Sequence, residues 1–89
     1  MIEITETTVW TASRTRVAVG TIFEREYRAA DGTTRTGPAA PLYLYTDQGE
    51  DKVVGGAGSH LTIDDEEWEV VLVEPRPDNR GRVVLRRLA

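Results

Sequence analysis

The sequence predicts an all-β protein, a small antiparallel barrel of six or seven strands, with a β-sandwich as the alternative. Three observations carry that expectation. Apolar and polar residues alternate with a period of two along most of the chain, and helical periodicity is scarce. Clusters of turn-forming residues recur every 8–12 residues or so, about the spacing of short-stranded β folds. The 89 residues amount to a single domain, residues 1–89. So short a chain has little with which to cover two separate sheets, and closure removes exposed edges.

"IEIT" and "TTVW" open the chain as a strand or two. "TRVAVGTIFEREYR" (15–28) reads as one long, half-buried strand, with Val17, Val19, Phe23 and Tyr27 on one face. Arg16, Glu24, Glu26 and Arg28 fall mostly on the other face. Asp31-Gly32 then marks a hairpin, because glycine accepts the positive φ that a type I′ turn demands. The return strand "TTRT" should end at Gly37-Pro38, where "GPAAP" reads as a corner or an edge.

"LYLYT" (42–46) is an edge-like strand with Leu42 and Leu44 on one face and Tyr43 and Tyr45 on the other. "DQGED" is a turn and "KVV" a short strand. "HLTI" and "WEVVLVEP" flank Asp64–Glu67, the expected tip of a hairpin. A short helix over "DDEEWEVVLVE", capped by an aspartate, competes with that hairpin. Three valines in four residues, and Pro75 after them, weigh against the helix. "RPDNRG" supplies the last turn and "RVVLRRL" the closing strand.

The chain has no cysteine, which excludes disulfides and thiolate metal sites. Neither a secretory leader nor an apolar run of the roughly 20 residues a membrane span needs is visible, so a cytoplasmic location is expected. The net charge of −4 is unevenly spread. Residues 1–46 are neutral, 47–74 carry nine acids against Lys52, and 75–89 carry five arginines against Asp78. Such a distribution steers partners or lets copies meet head to tail. Its plainer meaning is that oppositely charged strands lie side by side in one sheet. Ten arginines to one lysine reflect the codon bias of a GC-rich genome rather than arginine chemistry.

Gly55-Gly56-Ala57-Gly58-Ser59-His60 resembles a phosphate cradle only superficially. A cradle needs a helix N-terminus behind it, and here a β-like segment follows. The stretch reads as a turn. His60, the single histidine, has no sequence partner placed to orient it, and one imidazole with loop carboxylates makes a weak metal site. Asp64, Asp65, Glu66 and Glu67 lack the alternating ligands and glycine of a calcium loop. No Ser–His–Asp or Cys–His set can be assembled, and neither a catalytic residue, a metal nor a cofactor is expected. Nucleic acid is disfavoured as a partner by the acidic balance, although Arg76, Arg80, Arg82, Arg86 and Arg87 form a local exception.

At "GSHLTIDDEEWEVVLVEPRPDNRGRVVLRRL" the order of apolar pair, acidic turn, tryptophan, apolar strand, glycine turn and apolar strand resembles the closing hairpins of small SH3-like barrels. Those of phage head–tail completion and tail proteins are similar, as are short proteins of Streptomyces-type actinobacteria. The resemblance spans about the last third of the chain and implies a domain that works by contact. The glycine common at the tip of such hairpins is replaced here by acids.

Two functional readings follow. In the first, the protein is a non-catalytic interaction or assembly module that contacts another protein or further copies of itself. Its surface would be Arg80, Arg82, Arg86 and Arg87 with Asp64, Asp65, Glu66 and Glu67. In the second, it is a small-molecule binder or minimal enzyme, with Tyr43, Tyr45, His60 and Trp68 at the barrel mouth.

Overall fold

A computed structural model describes residues 1–88. The all-β expectation holds. Among the described residues nine strands run as β1 (Ile2–Thr5), β2 (Val9–Thr11), β3 (Arg16–Val19), β4 (Phe23–Arg28), β5 (Thr34–Thr46), β6 (Gly49–Gly56), β7 (His60–Ile63), β8 (Glu66–Glu74) and β9 (Arg82–Arg87). A single 3-10 turn, Pro77–Asn79, is the one helical piece among the described residues. The competing helix over 64–74 does not form.

The strands make two antiparallel sheets rather than a closed barrel. One has the order β1-β9-β8-β7, and the other the order β2-β3-β5-β4 with β6 along the second edge of β5. The chain passes between sheets at two corners, from β1 to β2 and from β6 to β7. Each corner contains a left-handed residue, Thr7 (φ 65°) and Gly58 (φ 93°). That conformation turns the chain sharply, so the two strands it joins pair in different sheets instead of closing a ring. The result is the two-sheet alternative, with nine strands rather than six or seven.

Both sheets supply the core. Ile4, Leu61, Ile63, Val70, Val73, Val83 and Leu85 meet Val17, Val19, Ala40, Leu42 and Leu44. Each large aliphatic side chain buried this way contributes about 1.5–3 kcal/mol. Trp10 and Trp68, one from each sheet, pack against this core edge to face with ring centroids 5.7 Å apart. Trp68 lies in β8 opposite Arg87.

The segment 15–28 is not one continuous strand. Val19 pairs with Leu42, and Phe23 with Ala39, so four steps on one side oppose three on the other. The extra residue is a bulge at Gly20–Ile22. An inserted residue reverses the facing of everything beyond it. Val17 and Val19 therefore point into the core, whereas Phe23 and Tyr27 do not share their face. Phe23 is left 51% exposed.

Nor does the return strand stop at Gly37-Pro38: β5 runs through both prolines for 13 residues. The Pro41 carbonyl accepts from Gly20 N at 2.9 Å, so Pro41 is directed toward the bulge, where the ladder is already broken. Pro38 points to the opposite edge, beyond Ala39↔Gly56, the last pair of β6. Neither missing N–H faces a strand that requires it. "LYLYT" consequently lies at the centre of its sheet, between β3 and β6, and not at an edge. The "KVV" strand is likewise longer, eight residues rather than three.

Candidate functional site

The charged residues marked by the sequence are largely occupied within the chain. Arg82 pairs with Glu3 at 2.9 Å and with Glu74 at 3.2 Å, Arg86 pairs with Glu69, and Arg87 pairs with Glu66 at 3.2 Å. These are neighbouring-strand pairs across β1, β9 and β8, the plain meaning of the charge asymmetry. The Arg76 hydrogen bond, with Arg82 beside it, holds the Glu74 carboxyl below its ordinary pKa. Glu67 accepts from the Thr62 hydroxyl at 2.6 Å, and Arg80 lies exposed after the 3-10 turn.

The four residues proposed for a ligand site stand apart. Trp68 packs against the core. Tyr43 and Tyr45 alternate with the buried Leu42 and Leu44, so they occupy the outer face of the five-stranded sheet. His60 is exposed on β7 in the other sheet, with Nε2 3.8 Å from a Glu69 oxygen. A shallow pocket of about 250 Å³ beside His60 is lined by Arg28, Ala29, Ala30, Val53, Val54 and Ser59, with none of the aromatics.

The turn expected over Gly55–His60 is confined to Ala57–Ser59, because Gly55 and Gly56 pair within β6 and His60 begins β7. The Ser59 hydroxyl accepts from Gly56 N at 3.2 Å and donates to the Arg28 carbonyl at 2.8 Å. Tyr27 lies across Gly56, where any Cβ would strike its ring, and its hydroxyl donates to the Ala57 carbonyl at 2.9 Å. The loop's polar groups thus join β4 to the corner between the sheets.

Two surfaces that sequence reasoning missed are left. The first is the outer face of the five-stranded sheet. Register places Val9, Arg16, Ala18, Phe23, Arg25, Tyr27, Arg35, Pro41, Tyr43, Tyr45, Lys52 and Val54 on it. Every tyrosine and the one phenylalanine of the chain are here, and Val9 is 58% exposed. Four bases share the face with one acid, Glu50, in a chain of net charge −4. Arg16 sits over the Tyr45 ring and Lys52 over the Tyr43 ring, each 6.0 Å from the centroid. Gly20 opens the bulge that creates this face, but only the pairing with β5 shows the extra residue.

The second surface is an open cleft of about 600 Å³ between the β5–β6 turn and the β7–β8 turn. Leu44, only 8% exposed, lines it together with Asp47, Glu50, Asp51, Asp64, Asp65 and Arg14. Asp64 accepts from the Thr15 hydroxyl at 2.8 Å and from Arg14 N at 3.1 Å. Those bonds, the Thr15 one foremost, hold its carboxyl below the ordinary aspartate value. Asp65 takes the Arg14 guanidinium at 3.0 Å. Among the described residues no three His, Cys, Asp or Glu side chains are grouped to hold a metal ion.

No family model, curated protein or solved structure matches the chain. Among the described residues no helix is long and apolar enough to cross a membrane.

Proposed function

We propose that the protein is a non-catalytic assembly module that associates with further copies of itself through the outer face of its five-stranded sheet. The observation that carries this reading is Phe23, set 51% exposed on a face that also gathers the tyrosines. Exposed apolar surface of this kind, rimmed by charge, marks contact sites. The Tyr45 and Tyr43 rings already have Arg16 and Lys52 over them and Tyr27 is laid across Gly56, so the free anchors are Phe23 and Val9. Such anchors suit a protein surface better than the bases of a nucleic acid, which need uncovered aromatic faces.

Sedimentation velocity over a concentration series tests the reading. The wild-type chain should grow beyond the single-chain mass as concentration rises. Phe23→Asp, which places a charge where an apolar anchor is buried, should weaken association by at least about tenfold, the size expected for an interface hot spot. A wild-type chain that keeps its single-chain mass throughout would overturn it.

A further inference from the structure

We infer that Phe23 and Arg25 of one copy dock into the acidic cleft of the next, so that copies join head to tail. This rests on the self-association reading and adds what the outer face meets. Charge decides against the face meeting itself. Arg16, Arg25 and Lys52 stand there against Glu50, with Arg35 already held by Asp31 at 3.7 Å, and a symmetric contact would bring like charges together.

The chain carries its own complement. The cleft holds Asp47 and Asp51, whose carboxylates make no ion pair among the described residues, while Arg14 is engaged by Asp65. Leu44 offers an apolar wall for a phenyl ring, and about 600 Å³ accommodates the ring with a guanidinium beside it. Phe23 and Arg25 are the matching pair, two residues apart on one face of β4. Among the described residues β4 pairs only with β5, so it is an edge strand that a neighbour can approach. The arginines of β9 do not compete, because Glu3, Glu66, Glu69 and Glu74 hold them.

One copy cannot satisfy both surfaces itself. Phe23 lies opposite Ala39, and the cleft begins at Leu44, five residues further along β5. At about 3.3 Å per residue that is roughly 17 Å. A knob and a cleft on different parts of one molecule make a heterologous contact. It leaves one of each open on every added copy until a ring closes or a filament extends.

Complementation tests this. Phe23→Asp removes the knob, and Asp47→Lys with Asp51→Lys removes the cleft's charge; all three positions are exposed. Each variant alone should have the single-chain mass in native mass spectrometry. Mixed in equal amounts, they should form a 1:1 pair and nothing larger, since one intact knob meets one intact cleft. Wild-type association should also weaken at least tenfold between about 0.1 and 0.5 M salt, as screening predicts. A cleft variant that assembles like the wild type overturns the inference but leaves the self-association reading standing. So does a mixture of folded variants that yields no pair. A wild-type chain that stays single overturns both. If the charge reversals unfold the chain by circular dichroism, Phe23→Ser and Asp47→Asn with Asp51→Asn serve the same comparison.

Discussion

Glu6 is the residue on which three segments converge. It is 3% exposed, and its carboxylate accepts from Ile22 N at 2.7 Å and from Gly81 N at 3.2 Å. Its own N–H donates to the Gly81 carbonyl at 2.8 Å. The side chain thus ties the β1–β2 corner to the bulge before β4 and to the turn before β9. Removing it strands two buried N–H groups, each costing about 1–3 kcal/mol. Glu6→Ala should therefore lower unfolding stability by about 2–6 kcal/mol in urea melts, a loss no exposed glutamate here should match. Asp64 acts at the surface instead, and its effect depends on pH. Its carboxyl is held below the usual 3.8 by the Thr15 hydroxyl first and the Arg14 N–H next. The folded state thus binds this proton less readily than the unfolded chain. Its stabilisation is complete above pH 3.8 and is lost as pH falls through the depressed value. Thr15→Val deletes the leading donor, so the Asp64 carboxyl should titrate closer to 3.8 when followed by NMR. An unmoved titration would show that the hydroxyl does not set it.

The strands and their turns were mostly legible, because alternation and turn chemistry are local properties. "HLTI", "RVVLRRL" and the leucine and tyrosine faces of "LYLYT" fall where the pattern puts them. The bulge was not legible: a glycine within an alternating run looks the same whether the strand is regular or carries an extra residue. Only pairing with β5 reveals the extra step, and with it the outward turn of Phe23. The prolines misled for the same reason, since a missing N–H matters only if a neighbour faces it. The paired arginines of β9 were visible as charge, but not as already spent, because ion pairing needs the strand order. The β7–β8 hairpin shows what local chemistry does predict. Its turn, Asp64-Asp65, has both residues at positive φ, 53° and 62°. That is type I′ geometry, for which the second position favours glycine. Asp65→Gly relieves the left-handed strain and gives up only the exposed pair with Arg14. It should raise the melting temperature, with a gain of about 0.5–1 kcal/mol. A lower melting temperature would mean that the Arg14 contact outweighs the turn.

At the scale of the molecule, the question is whether two sheets without a shared ladder behave as one unit. Three features bind them. The core draws from both, so neither sheet has an apolar face that stays buried if the other leaves. The tryptophans meet across the boundary, Trp10 from β2 and Trp68 from β8. Glu6 ties the sheets as well, its carboxylate holding Ile22 N before β4 and Gly81 N before β9, while Ile2 pairs with Leu85 to close the chain's ends together. A chain held this way loses the buried surface of both sheets together, which is the condition for two-state unfolding. Tryptophan fluorescence, reporting the boundary, and far-ultraviolet circular dichroism, reporting the strands, should give superimposable urea transitions at a concentration where the chain is single. Two separated midpoints would mean that one sheet survives alone. The same long-range pairing sets the speed, because loops spanning nearly the whole chain must close before their contacts stabilise anything. Refolding should accordingly fall in the range of about milliseconds to seconds typical of all-β domains, as a single exponential in stopped-flow fluorescence.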